Sequence, residues 1–362
     1  MYSQNDLDEA VAAGAITPEA ATAFRTFIDR QRAAPAVDEE QFRLITGFND
    51  IFVSIAAAIL LFAVGWIGYS IGPVMPDGPS PTIGLAVAAT AWGLAEFFTR
   101  KRRMALPSIL LLLAFVGGTF FASAVALAMI VGENAIDNNA TLAGILGAVA
   151  AAIAAGGAYF HWRRFKVPIT VAAGAAAVAG IALGLLYAAI GDTPRTETIM
   201  LLVALGLGIA VFLFAMRWDA SDPGRVTRRS DVAFWLHLLA APMIVHPIFT
   251  LLGLNDGRAT VGEGLVVIAL YIALAITALA IDRRALLVSA LAYVLYALSE
   301  LFRQVGAVEL NIALTALVIG SALLLLSAFW HQARAAIVSK LPAGLQSHLP
   351  LINGARTTPQ PA

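Results

Sequence analysis

The stretch TRKRRMALPSILLLLAFVGGTFFASAVALAMIVGENAID, residues 99–137, decides the fold class of this chain. It opens with four basic side chains at 100–103, continues as an apolar run at 107–131, and ends with Glu133 and Asp137. A helix of about 20 apolar residues matches the thickness of the hydrocarbon core of a bilayer. The stretch therefore predicts a membrane-crossing helix with a basic end and an acidic end.

The same pattern recurs along the rest of the chain. Hydrophobic residues make up 60% of the 362 residues, charged residues 13%, and the mean hydropathy is +0.82. A water-soluble domain needs more charge than this to cover its surface. We therefore predict an all-α fold, a polytopic membrane helix bundle of about ten transmembrane helices. Their predicted bounds are 50–72, 82–99, 107–131, 141–160, 168–190, 198–216, 232–253, 262–281, 285–302 and 311–330.

The basic residues fix an orientation for these helices. Twenty of the 23 Lys and Arg residues fall on one side of the predicted helices, and the other side holds only Arg195, Arg258 and Arg303. Short loops rich in Lys and Arg stay in the cytoplasm. We therefore expect both termini to be cytoplasmic, in agreement with the even number of helices.

Three segments follow from this layout. Residues 1–49 are predicted to form a cytoplasmic helical hairpin and linker, residues 50–330 the transmembrane bundle, and residues 331–362 a cytoplasmic, mostly disordered tail. In the hairpin, Gly14 ends the first helix, Thr17 is an N-cap, and Pro18 takes the first position of the second helix. The polar and acidic first 49 residues do not resemble a cleavable signal peptide. We expect the first membrane helix to direct insertion.

The hairpin is too small to form much of a core alone. Residues 1–40 are therefore expected to contact the membrane domain, a cytoplasmic protein partner, or a second copy of the chain. The glycine pairs Gly68–Gly72 and Gly180–Gly184 have the spacing that lets membrane helices approach closely. They are compatible with central helices of the bundle and with contacts in a homo-oligomer. Apart from such proteins, the expected partner is the lipid bilayer, and no feature indicates nucleic acid.

Two stretches carry a resemblance to known proteins. They are GAITPEA, residues 14–20, and SDPGRVTRRSDVAFWLHLLAAPMIVHP, residues 221–247. Together with the layout of the helices, they resemble uncharacterised bacterial multipass inner-membrane proteins that have an amino-terminal cytoplasmic helical hairpin. The resemblance implies a location in the bacterial inner membrane, and it implies no activity.

Catalytic and cofactor motifs are absent from the sequence. The chain has no cysteine, which excludes disulfides, thiolate metal sites and iron–sulfur clusters. It also lacks HExxH, GxxxxGK[ST] and GxSxG. We therefore predict no catalytic residue, no metal ligand and no cofactor, and we do not expect an enzyme.

Two acidic residues lie clearly within the predicted helices, beyond their first two positions. Glu96 lies four residues before Arg100, a spacing at which a helix brings the two side chains together as a structural ion pair. The other is Glu300, on a helix face that also carries Tyr293, Tyr296 and Arg303. This stripe has two interpretations. Either it packs against a neighbouring helix with an interfacial Glu300–Arg303 pair, or it lines a water-filled cavity that can hold a substrate.

The predicted seventh helix contains His237 and His246, together with Pro242 and Pro247. Nine residues apart, the two imidazoles point to opposite faces of a regular helix, so they do not form a metal-binding pair. Each can relay protons or bind a substrate, or else be a neutral histidine that bonds to a neighbouring helix. Both histidines are candidate cavity residues.

Two functional classes remain open. One is a transporter-like protein with a polar site on the predicted seventh and ninth helices and a weakly polar or lipid-like substrate. The scarcity of charge within the helices argues against ion-coupled pumping. The alternative is a membrane scaffold or sensor that does not transport and whose amino-terminal hairpin recruits a partner.

Overall fold

The computed structural model describes residues 10–24, 48–73, 78–222, 225, 227–253, 261–284, 286–287, 291, 294–295, 298–299, 302, 310–346 and 349. The chain divides into two compact units, Met1–Arg43 and Leu44–Ala362. Across the described residues of both units, every regular element is a helix. The fold is therefore all-α.

In the described part of the smaller unit, two helical segments are joined by a short turn. Residues 10–12 and 18–24 are helical. Gly14 has a φ of +69° in the turn, a conformation that glycine adopts without steric cost. Thr17 caps the second segment, because the amide of Ala20 donates to Thr17 Oγ1 at 3.2 Å.

The larger unit is a bundle of long helices, numbered here in chain order. They are α1 Phe48–Ile71, α2 Pro81–Phe98, α3 Ala105–Val131, α4 Ala140–Phe165, α5 Ile169–Ile190, α6 Thr196–Ala220, α7 Arg228–Leu251, α8 Val261–Ile281, α9 Asn311–Ala328 and α10 Trp330–Val338. Two short helices, Glu133–Asp137 and Ala343–Gln346, complete the described elements.

Several of these helices are long and apolar enough to cross a membrane. In the described part of the chain seven qualify, α1 to α7, and eight if α9 and α10 count as one span bent by 73°. Helix α8 is not among these spans, and its segment Leu265–Ile281 is a shorter apolar helix. The predicted ninth helix, 285–302, lies largely outside the described residues. The number of about ten transmembrane helices therefore stays a prediction.

Contacts in the structure bring the basic loops to one end of the bundle. Glu96 at the end of α2 binds Arg164 at the end of α4. Trp235 in α7 packs against Val167 and Ile169, which join α4 to α5. We call this end the basic end. It is made by residues 96–104, 161–168, 217–222, 225, 227–230, 281–284 and 328–340.

Two helix boundaries differ from the predicted ones in a way that matters for the site. Helix α6 continues to Ala220, past the predicted end at 216. Helix α10 occupies residues 330–338, the start of the segment predicted to be a mostly disordered tail. Trp330, Arg334 and Val338, four residues apart, are all buried, so this helix is held by the face that it turns to the bundle.

Candidate functional site

Two buried charged side chains pair at the basic end. Asp219, in the last turn of α6, is 3% exposed, and Arg283, just after α8, is 2% exposed. The Arg283 guanidinium donates from Nε to Asp219 Oδ2 at 3.2 Å and from Nη2 to Asp219 Oδ1. A bidentate pair of this kind is stronger and more specific in geometry than a bond between neutral groups.

Helix α7 adds two polar side chains to this pair. His237 is fully buried, and its Nε2 lies 3.0 Å from Asp219 Oδ2. Arg283 Nη2 also donates to Ser230, at 3.2 Å to the backbone oxygen and 3.0 Å to Oγ. We call Asp219, Ser230, His237 and Arg283 the Asp219 network. It joins the end of α6, the start of α7 and the turn after α8.

A tight turn at the end of α8 positions Arg283. The amide of Arg283 donates to Ala278 O at 2.9 Å, and the amide of Asp282 donates to Leu279 O at 3.3 Å. This is the Schellman pattern, which needs a left-handed residue at the position of Asp282. Asp282 has a φ of +57°, and aspartate tolerates this conformation better than most residues. Because of this turn, Arg283 bonds to the Asp219 network, whereas the adjacent Asp282 bonds to a different set of side chains.

Asp282 is the centre of the second network. Arg225 Nη1 donates to Asp282 Oδ2 at 2.8 Å, and Trp330 Nε1 donates to Asp282 Oδ1 at 2.7 Å. Arg225 also donates from Nη2 to the backbone oxygens of Ile281 and Asp282. Arg334 Nε lies 3.8 Å from Asp282 Oδ1. The Asp282 network therefore connects the α6–α7 loop, the turn after α8, and α10.

Some buried polar atoms in this half of the bundle have no hydrogen-bond partner within the described residues. They are His237 Nδ1, the Tyr271 hydroxyl on α8, and Thr315 Oγ1 on α9. Tyr271 packs against two apolar clusters, one around Val245 and one around Ala241 of α7. A buried polar atom without a protein partner usually binds water or a ligand.

The structure separates the two histidines that the sequence put forward. His237 is buried in the Asp219 network, whereas His246 is exposed on another face of α7. Pro242 and Pro247 lie within the same helix. In the described part of the chain, no group of three His, Asp or Glu side chains is arranged to hold a metal ion.

The other candidate cavity residues cannot be placed. Tyr293, Tyr296, Glu300 and Arg303 lie outside the described residues. Their grouping on one helix face therefore stays a prediction.

Glu96 lies at the basic end, and its bonding partners are not members of the Asp219 network. Arg100 Nη1 donates to Glu96 Oε2 at 3.2 Å, across one helical turn. Arg164 makes two further bonds to the same carboxylate, at 2.7 and 2.9 Å. Glu96 therefore joins α2 to α4 as well as bonding within α2.

Asp219 and Arg283 were not among the residues put forward from the sequence. Both fall in segments read as basic loops, where charge is explained by orientation alone. The sequence contained a local sign of Asp219, because this residue follows Val211 and Ala215 at a spacing of four. The structure shows that all three are buried on one face of α6. No comparable local sign exists for Arg283.

No known protein family, curated protein or solved structure matches this chain. The class of the protein therefore follows from its fold. Helix α1 shows the feature most clearly, since Phe52, Ile59, Phe62 and Trp66 are each more than 60% exposed along it. Such a surface is stable in lipid and prone to associate in water. The chain is a membrane protein with several helices able to cross a bilayer.

Proposed function

We propose that this chain is a transporter-like protein of the bacterial inner membrane, with both termini cytoplasmic and about ten transmembrane helices. In this proposal, helices α6 to α10 carry the path for a weakly polar or lipid-like substrate. The Asp219 network closes that path at the cytoplasmic end. The observation that carries the proposal is the burial of this charged network at the junction of three helix ends.

A permanently closed bundle has little need for such a network. Replacing a buried ion pair with apolar residues of similar volume is often neutral or stabilising, so buried charge is weak evidence for stability alone. A closure that opens has different requirements. When the helix ends separate, Asp219 and Arg283 regain hydration, whereas an apolar plug of the same size exposes its surface to water. Buried ions therefore suit a contact that forms and breaks.

The polar atoms without partners support a path behind this closure. The Tyr271 hydroxyl and Thr315 Oγ1 are buried on α8 and α9. Ligand sites are mostly apolar, with a few polar groups that fix the orientation of the ligand. Neutral hydroxyls among apolar side chains favour a weakly polar substrate over an ion.

Because the chain has no cysteine, an introduced cysteine is its only thiol. Labelling of that thiol tests the proposal without a known substrate. In membrane vesicles of either orientation, a Tyr271→Cys variant is expected to react with a membrane-impermeant thiol reagent from both sides, as alternating access requires. Adding Asp219→Asn weakens the closure, so the rate at which the thiol is labelled from the basic end is expected to rise about tenfold. This corresponds to about 1.4 kcal/mol in the opening equilibrium. The measurement is the rate of labelling.

Two exposed positions serve as controls in the same vesicles. Ser339→Cys is at the basic end, and Asn138→Cys is in the loop between α3 and α4 at the opposite end. Ser339→Cys is expected to react only in inside-out vesicles, as cytoplasmic termini require. The transporter proposal fails if Tyr271→Cys stays unreactive from both sides, with and without Asp219→Asn, while both controls react.

A membrane scaffold is the second candidate, and the separate amino-terminal unit favours it. Residues 1–43 form a unit of their own, and Phe24 is 40% exposed on it. If the hairpin self-associates, Ala13→Cys is expected to form a disulfide between two chains under oxidation in membranes. Adding Phe24→Asp is expected to abolish that cross-link, because it charges an apolar contact. A cross-link that Asn138→Cys forms equally well contradicts association through the hairpin.

A further inference from the structure

The ends of α2 and α4, together with the loops that follow them, carry a concentration of exposed positive charge. Seven basic side chains are exposed there: Arg100, Lys101, Arg102, Arg103, Arg163, Arg164 and Lys166. We call these seven residues the basic patch. Glu96 joins the ends of the two helices through its bonds to Arg100 and Arg164. In the described part of the chain, no carboxylate lies within ion-pair distance of the other five.

Two of these cations occupy backbone positions that suit glycine. Arg103 has a φ of +54° and Lys166 a φ of +56°. The left-handed conformation costs about 1 kcal/mol or more for a residue with a side chain. Orientation in the membrane requires positive charge somewhere in a short loop, and it does not require charge at these strained positions. A specific use of the two side chains accounts for their location better than topology does.

Aromatic rings place the basic patch at the level of lipid headgroups. The Arg102 guanidinium lies 5.5 Å from the Phe97 ring centre, and Lys166 Nζ lies 5.2 Å from that of Trp162. Arg163 donates to the Tyr159 hydroxyl at 2.9 Å. Tryptophan and tyrosine concentrate at the boundary between hydrocarbon and water. We therefore expect the cations beside them at the depth of the phosphates of a bilayer.

We propose that the basic patch binds the phosphate of an anionic phospholipid headgroup and thereby stabilises the contact between the ends of α2 and α4. Arginine matches a phosphate with two parallel hydrogen bonds, and each basic residue near an anionic membrane surface contributes about 1 kcal/mol. The charge of the patch, its aromatic neighbours and its five cations without a carboxylate partner among the described residues all match this ligand. The inference is independent of any transport activity.

The test uses the full chain, purified in neutral detergent and titrated with phosphatidylglycerol or phosphatidylcholine. Phosphatidylglycerol is expected to raise the thermal unfolding temperature, and phosphatidylcholine is not. In the double variant Arg103→Gly with Lys166→Gly, the rise is expected to shrink at least about twofold, because two charges are lost. Glycine suits both backbone positions, so this variant is expected to fold.

Matched controls separate the sources of an effect. Arg217→Gln with Arg228→Gln removes two exposed cations from the basic end outside the patch, and it is expected to keep the full rise. Inorganic phosphate is expected to give no rise. The proposal is overturned if phosphatidylcholine or inorganic phosphate acts as well as phosphatidylglycerol, or if the patch variant responds as the unmodified chain does.

Discussion

Replacing Arg283 with methionine is expected to lower the free energy of unfolding of the membrane unit by about 3–5 kcal/mol. The change leaves the Asp219 carboxylate buried without its cationic partner, and it also removes the bonds to Ser230. Methionine fills much of the volume of the arginine stem, so the effect reports the lost charge more than a cavity. The measurement is reversible unfolding in mixed detergent micelles.

Arg284 provides the matched control, since it follows Arg283 directly. Its guanidinium carbon lies 4.8 Å from the ring centre of Trp330, and the side chain is half-buried. Arg284→Met is expected to cost about 1 kcal/mol. Adding Asp219→Asn to Arg283→Met is expected to restore part of the loss, because two residues in direct contact are coupled. Equal costs for Arg283→Met and Arg284→Met are incompatible with a buried, paired Arg283.

The helices of the bundle were largely predictable because a bilayer imposes one dominant rule. The core of the membrane demands long apolar helices, and each long helix from α1 to α7 coincides with a predicted apolar run. The helix ends were less predictable. Helix α6 extends past residue 216 because Asp219 is buried by partners from elsewhere in the chain. Hydropathy contains no information about such partners.

The Asp219 network was not predicted, because membrane orientation already explained the basic residues in its part of the chain. Arg283 was counted among the basic residues that orient the chain, which gives it a sufficient explanation without any contact. Its partner Asp219 is 64 residues away in the sequence, so no local spacing connects them. His237 was recognised as a polar residue within a helix, and it does bond to a neighbouring helix at Asp219. A single polar residue in an apolar helix could be recognised in the sequence, whereas an ion pair between residues distant in the sequence could not.

The second large effect is expected where α4 and α5 touch through glycine. A Cβ at Gly144 would lie 2.5 Å from Ala188 N and 2.6 Å from Gly184 O, both backbone atoms of α5. Backbone atoms cannot rotate away, so Gly144→Ala must push the two helices apart. Overpacking of a tight contact costs about 1–3 kcal/mol, and the rigid neighbours place this change at the upper end of that range.

Gly147, one turn further along α4, isolates the steric cause. A Cβ there meets nothing within 4 Å, so Gly147→Ala adds a methyl group without a clash. Alanine favours a helix over glycine by about 1 kcal/mol, and Gly147→Ala is expected to be neutral or stabilising. The same mixed-micelle unfolding measures both variants. The free energy of unfolding is expected to fall for Gly144→Ala and to stay unchanged or rise for Gly147→Ala, because only Gly144 lies in the contact with α5. A loss at Gly147 as large as that at Gly144 contradicts this packing.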